Sequence, residues 1–217
     1  MWGVLWDLDG VLIDSAPWHL ASWQWLAQRY GRTFPVSLFQ ETFGLPNGAI
    51  LRRLFPERDL TDEDIRRLSE QKEAMYRTLV RAHLTWCPGA VELLEDLRRH
   101  GARQGLFTST PRSNVVFIDE ILGLSRYLEV ILTGDDVPRG KPAPDGYAVL
   151  CQRLGLSPDR AVVIEDAPAG IEAAHAAGLR CIAVATTHPP ERLGSADWVV
   201  RDLTELSARS IQAWLGA

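Results

Sequence analysis

Trp2-Gly3-Val4-Leu5-Trp6-Asp7-Leu8-Asp9-Gly10 decides how the rest of the 217-residue chain is read. The apolar run from Trp2 to Trp6 is too short for a helix and nearly unbroken. That pattern suits a strand buried on both faces of a parallel sheet. The run stops at two aspartates and a glycine, where the chain leaves the sheet.

Downstream of Cys87-Pro88-Gly89 the pattern alternates. Strands are expected over 102–108, 128–132, 161–164, 180–185 and 197–200. Helices are expected between and after them, over 90–100, 113–122, 145–154, 169–177 and 203–215. Short apolar strands alternating with helices imply βαβ units and a parallel sheet covered on both sides. Residues 14–86 have a different texture and no strand pattern. Helices are expected over 17–30 and 61–83, with shorter ones over 38–55 broken at Gly44-Leu45-Pro46-Asn47-Gly48. The expected fold is α/β: a Rossmann-like parallel sheet core with helices on both faces, built from 1–13 and 87–217. An all-α helical cap domain over 14–86 is inserted in it.

Composition bounds the function. Hydrophobic residues make up 46% and charged residues 24%, the balance of a folded domain rather than a disordered chain. The net charge of −5, without a basic stripe interleaved with aromatics, argues against a nucleic-acid partner. Cys87, Cys151 and Cys181 are far apart and form no C-x-x-C, so they read as inert thiols. Asp7 and Asp9 interrupt the place where a signal core would sit, and no apolar run reaches the ~18 residues of a membrane span. A cytoplasmic protein without a membrane partner is expected. No dimerisation helix stands out, so a monomer is expected.

In open α/β sheets the site lies at the carboxyl ends of the strands. Here the first strand ends at Asp7 and Asp9, and the second at Thr108-Ser109-Thr110. The third is followed by a loop carrying Lys141, and the fourth ends at Glu165-Asp166. Each feature alone has an ordinary explanation: a turn, a helix cap, a loop lysine. Together they gather carboxylates, hydroxyls and an ammonium at one edge. Clustered carboxylates repel one another and call for a cation, and an all-oxygen donor set suits Mg²⁺. Lysine and hydroxyls supply positive charge and donors to phosphoryl oxygens. A carboxylate can act as nucleophile, and a second one two residues away as acid and then base.

Trp6-Asp7-Leu8-Asp9-Gly10-Val11-Leu12-Ile13-Asp14-Ser15, Phe107-Thr108-Ser109-Thr110, Gly140-Lys141-Pro142-Ala143-Pro144-Asp145 and Val162-Val163-Ile164-Glu165-Asp166-Ala167-Pro168-Ala169-Gly170 together resemble the haloacid-dehalogenase-like (HAD) hydrolase superfamily. The resemblance covers essentially the whole chain and is strongest to the phosphatase and β-phosphoglucomutase branch. It implies that Asp7 attacks phosphorus, and that Asp9 protonates the leaving oxygen and then activates water. It implies Mg²⁺ held by Asp7, Asp166, the backbone carbonyl of Asp9, and Glu165 directly or through water. Ser109 would donate to a phosphoryl oxygen, Thr110 would contribute its backbone amide, and Lys141 would neutralise charge beside Asp7. True dehalogenases of the superfamily lack an acid at the position of Asp9, so its presence points to phosphate esters.

Ser15, His19 and Trp23 recur every four residues and share one face of the first cap helix. His19 and Trp23 match positions that line the substrate pocket in β-phosphoglucomutases. Trp18 and Trp25 fall on other faces and read as packing residues. Asn47 stands where those mutases carry a basic residue for a second phosphate. Arg52 and Arg53 lie a turn further on and could substitute for it. The expected activity is Mg²⁺-dependent hydrolysis of a small phosphorylated metabolite, such as a sugar phosphate, with closure of the cap over the site. A phosphohexomutase is the alternative, and a non-catalytic binding protein on the same fold the third reading. A dinucleotide enzyme is disfavoured, because no G-x-G-x-x-G follows the first strand.

Overall fold

The computed structural model describes residues 1–216. Strand β1 (Gly3–Trp6) lies in the middle of a six-stranded sheet and is fully buried, as its unbroken apolar run requires. It pairs in parallel with β2 (Arg103–Thr108) on one side, Trp6 opposite Leu106. On the other side it pairs in parallel with β4 (Ala161–Glu165), Trp6 opposite Ile164. With β3 (Val130–Thr133), β5 (Arg180–Val184) and β6 (Trp198–Val200), the order is β3-β2-β1-β4-β5-β6, all parallel. The chain builds outward from β1 to β3, then crosses back to β4 and builds the other way. The carboxyl ends of β1 and β4 therefore flank the point where the winding reverses, the place such sheets open a crevice.

Period-2 alternation sends each strand's side chains to opposite layers. Val4, Trp6, Leu106 and Ile164 pack with α5 (Ala90–Arg99), α6 (Arg112–Leu122) and α9 (Ala208–Leu215). Leu5, Phe107, Val163 and Cys181 pack with α7 (Asp145–Arg153) and α8 (Pro168–Ala176).

Between β1 and α5 the chain forms the helical insert: α1 (Ala16–Arg29), α2 (Val36–Thr42), α3 (Asn47–Leu54) and α4 (Asp62–Val80). These helices enclose an apolar cluster of their own, with Trp23, Leu26, Phe34, Phe55 and Leu68 inside it. Thr61 opens α4 with a reciprocal cap: its hydroxyl accepts from Asp64 N at 3.2 Å, and Asp64 accepts from Thr61 N at 3.3 Å. Such a cap stabilises a helix start by about 1 kcal/mol. The two crossings between insert and core run side by side. Asp14 N donates to Thr85 O at 3.1 Å and Cys87 N to Leu12 O at 2.9 Å.

Three sequence expectations shift. The strand expected over 128–132 is Val130–Thr133, because Leu124–Arg126 coil into a 3-10 turn after Gly123. The break expected at 44–48 is shorter, since α3 already starts at Asn47. The closing helix expected over 203–215 begins at Ala208, where the Ser207 hydroxyl caps Ser210 N and restarts the helix after a separate turn at Leu203–Glu205.

Candidate active site

Asp7 follows the last residue of β1, and its backbone N–H still donates to Ile164 O at 3.0 Å. That bond holds the Asp7 side chain at the crevice beside the end of β4. There Asp7, Glu165 and Asp166 bring carboxylate oxygens within 4.8 Å of one another, all buried. Lys141, from the loop between β3 and α7, donates to Asp7 Oδ1 and, at 2.5 Å, to Glu165 Oε1. Three carboxylates against one ammonium leave the cluster short of positive charge. Burial, opposed by Lys141 and reinforced by Glu165 and Asp9, holds the Asp7 carboxyl well above its ordinary range. Burial, with Asp7 and Glu165, does the same to Asp166. Buried hard oxygen donors that repel one another fit a small divalent cation.

The two acids of β4 are not equivalent. Glu165 accepts from Lys141, from Tyr147 Oη at 2.8 Å and from the backbone N–H groups of Asp166 and Ala167 at 3.0 and 3.4 Å. Its lone pairs are taken up by these four donors, one of which is Lys141. Asp166 accepts from Thr187 Oγ1 on one oxygen. Two glycines make room for this packing. A Cβ on Gly10, whose φ is +82°, would collide with the Asp166 carboxylate, and one on Gly170 with the Glu165 carboxylate.

Asp9 faces the cap. It accepts from Ser15 Oγ at 2.5 Å, Thr110 Oγ1 at 2.5 Å and His19 Nε2 at 3.1 Å. Burial alone would raise its pKa, but His19 and the two hydroxyls outweigh burial and hold the carboxyl well below its ordinary value. Lys72 Nζ stands 2.6 Å from His19 Nδ1. An ammonium only donates, so Nδ1 accepts and the Nε2 proton points at Asp9. Tyr76 stacks on the other side of the imidazole, with centroids 3.9 Å apart, and fixes its plane.

The cavity between the core and the insert is lined by Asp7, Asp9, His19, Trp23, Asn47, Lys72, Glu73, Thr108, Ser109 and Thr110, among others. The sequence-selected residues Asp7, Asp9, Ser109, Thr110, His19, Trp23 and Asn47 therefore share one chamber, with Lys141, Glu165 and Asp166 beneath it. Its volume of about 50 Å³ is room for one or two waters. Some details differ from expectation. Ser109 Oγ donates to Gly44 O of the insert at 3.0 Å, and the Thr110 amide to Thr108 Oγ1 at 3.0 Å. Trp23 is at once cavity wall and insert core, stacked on Phe34. Arg52 donates to Leu60 O, and neither Arg52 nor Arg53 lines the chamber. Trp18 stacks on His83 and Trp25 packs against the insert's core, as packing residues should.

Sequence reading placed Thr108, the last residue of β2, among the strand-end hydroxyls but gave it no role of its own. It missed Lys72 and Glu73, which read as charges on a polar helix, and Asn114, which reaches Glu73 from α6. His188 had no signal at all. Its ring bridges Asp166 O at 3.1 Å and Gln40 O of α2 at 2.9 Å, another tie between core and insert.

Comparison with known proteins places this geometry. The chain is 35% identical over 202 residues to validoxylamine A 7'-phosphate phosphatase of Streptomyces hygroscopicus subsp. limoneus, covering 93% of this chain and 94% of the relative. It is 34% identical over 205 residues to hexitol phosphatase A of Escherichia coli (strain K12), covering 94% and 93%. The crystal structure of β-phosphoglucomutase from Clostridium difficile superposes with a TM-score of 0.90 at 26% identity, covering 100% of this chain and 97% of the other. Residues 2–178 match the family described as haloacid dehalogenase-like hydrolase, and the chain belongs to that family as a phosphatase-type hydrolase with an α/β core and an inserted helical cap.

Proposed function

We propose that the protein is a Mg²⁺-dependent phosphatase that removes phosphate from sugar-like polyhydroxy compounds through an aspartyl-phosphate on Asp7. The single observation that carries this reading is the placement of two carboxylates with opposite surroundings at one strand end. Asp7 touches an ammonium at the sheet edge, and Asp9 hangs in a hydrogen-bond clamp from the cap. The division of the chain into a core of 1–13 and 87–217 and a cap of 14–86 is part of the same proposal, as are a monomeric state and a cytoplasmic location. Among the described residues no helix is long and apolar enough to cross a membrane.

In the first half of the reaction an oxygen of Asp7 attacks phosphorus, and the bond to the leaving oxygen breaks. Asp9 gives that oxygen its proton. In the second half Asp9 takes a proton from water, the water oxygen bonds to phosphorus, and the acyl-phosphate bond breaks to restore Asp7. Lys141, braced by Glu165, stays against Asp7 and offsets phosphoryl charge. The Thr108 hydroxyl, at the end of β2, is a donor within the chamber for a phosphoryl oxygen, and Ser109 Oγ becomes a second one on leaving Gly44 O. Asp7 and Asp166, with the Asp9 carbonyl, would hold Mg²⁺, which would supply electrostatic stabilisation of the transferring group. The clamp on Asp9 favours its ionised form and so favours the water-activating half. Protonation of Asp9 for the first half calls for the clamp to loosen, which movement of the cap provides.

The carbohydrate-type names of the relatives support a polyol leaving group. The structural likeness to a β-phosphoglucomutase keeps isomerisation as the competing outcome. A mutase has to hold a second phosphate, and Asn47 presents an amide to the chamber rather than a cation. The test is phosphate release from a panel of hexose, pentose and hexitol phosphates, phosphoglycolate and nucleotides, with and without Mg²⁺. β-Glucose 1-phosphate is assayed for both hydrolysis and isomerisation. Release that needs Mg²⁺ and Asp7 supports the proposal. Isomerisation outrunning release overturns it in favour of the mutase, and silence throughout favours the non-catalytic reading.

A further inference from the structure

The cap end of the chamber holds a charge that phosphoryl transfer does not require. Glu73 on α4 is 2% exposed. Its Oε1 accepts from Lys72 Nζ at 3.0 Å and Asn47 Nδ2 at 2.7 Å, and its Oε2 from Asn114 Nδ2 at 2.6 Å. Burial alone would raise its pKa, but Lys72 and the amide donor outweigh burial and keep it ionised. Glu73 lines the chamber and also an adjoining groove between cap and core, at the boundary of the two. Lys72, the lysine that lines the chamber, is buried and paired with Glu73, whereas Arg66 is exposed at the rim of the groove and pairs with Glu63. Among the described residues, the chamber offers no unpaired lysine or arginine to a second anionic group.

We propose that Glu73 is the specificity-determining residue for the leaving group, accepting a neutral hydroxyl-rich moiety and refusing one that carries a second phosphate. This rests on the phosphatase reading above. A carboxylate offers about four lone-pair sites, and two of the bonds now made come from side-chain amides. Sugar hydroxyls can take over from those amides without baring a charge. A distal phosphate in the same place would meet a buried carboxylate whose only cation is already engaged. Like charges in a dehydrated site are penalised far more than in water. Discrimination built on such repulsion is stronger than discrimination built on shape alone.

The test uses matched pairs: glucose 6-phosphate against glucose 1,6-bisphosphate, and fructose 6-phosphate against fructose 1,6-bisphosphate. The quantity read is the ratio of kcat/KM for the monophosphate to that for the bisphosphate. In the wild type the ratio is expected at about 100 or more. In Glu73→Gln it should fall about tenfold or more, chiefly through a lower KM for the bisphosphate. Asn47→Lys, at a half-buried position in the same wall, should move it the same way by giving Glu73 a second cation. Circular dichroism and the melting midpoint check that Glu73→Gln folds, and if it does not, Asn47→Lys carries the test. The same ratio is read as Kd on an Asp7→Asn background from tryptophan fluorescence, which needs no turnover. A wild-type ratio near one, or a ratio unmoved in both variants, overturns the inference while phosphatase activity stands. Loss of Asp7-dependent release from p-nitrophenyl phosphate and every sugar phosphate overturns the phosphatase reading itself.

Discussion

Lys72 Nζ lies 2.6 Å from His19 Nδ1, and this contact assigns the proton of the cap histidine to the nitrogen that faces Asp9. Through His19 a buried cap lysine acts on Asp9, although Lys72 and Asp9 belong to opposite sides of the cleft. The Asp9 carboxyl is thus held low from the cap, through His19 and Ser15, as well as from the core, through Thr110.

His19→Ala tests that link. Removing the donor takes away part of what keeps the Asp9 carboxyl low, so its pKa rises towards 3.8. The acid limb of the kcat–pH profile should move up by about one pH unit, with kcat reduced. A uniform loss at every pH, with the limb in place, would show that His19 only packs.

The metal-free carboxylate cluster sets a pH-dependent stability. Asp7 and Asp166 have raised carboxyl pKa values in the folded state. Their contribution to stability is full below about 3.8, the unfolded value, and is lost as pH rises through the folded values. Without metal the fold is therefore penalised near neutrality, and Mg²⁺ bound at the cluster would relieve that penalty. The rise in melting temperature on adding Mg²⁺ should be larger at about pH 7.5 than at about pH 5. Asp166→Asn should raise the metal-free melting temperature by a few degrees and erase most of the Mg²⁺ effect. An equal Mg²⁺ shift at both pH values would contradict this assignment.

Glu165 and Asp166 are adjacent but should separate in function. Glu165 is saturated by Lys141, Tyr147 and two amides, so Glu165→Gln should lower kcat about 100-fold and change Mg²⁺ affinity less than about tenfold. Asp166→Asn should lose the metal outright. Titration of Mg²⁺ by calorimetry on both variants decides the matter, and equal losses of affinity would make Glu165 a ligand.

Gly10→Ala places a methyl group against the Asp166 carboxylate at a residue whose φ is +82°. The strain and the collision together should cost roughly 2 to 4 kcal/mol and abolish turnover. A melting temperature and activity close to wild type would show that this turn can relax.

The core was legible because its signals are local. Each strand is a short apolar run; Asp7, Glu165 and Asp166 sit at or just beyond strand ends, where a parallel sheet must gather them, and Lys141 lies in the loop after β3. The cap side was half legible. The spacing of Ser15, His19 and Trp23 foretold a shared face. Lys72 and Glu73 are charged neighbours on a helix rich in charge, and only the packing of α4 against α1 reveals that they are buried. Asn114 and His188 act across the cleft, through contacts that no local pattern encodes. The Ser109 hydroxyl, read as a phosphoryl donor, is turned to the Gly44 carbonyl, and Thr108 beside it shows why a row of hydroxyls resists assignment by sequence.

The central claim is that phosphate passes through Asp7. The direct measurement is to quench the enzyme during the first turnover of a sugar monophosphate with Mg²⁺ present, reduce it with borohydride and locate the product by mass spectrometry. An aspartyl-phosphate reduces to homoserine, so the account predicts homoserine at position 7 and nowhere else, and none without substrate. Homoserine at another aspartate, or full turnover in Asp7→Asn, would contradict it.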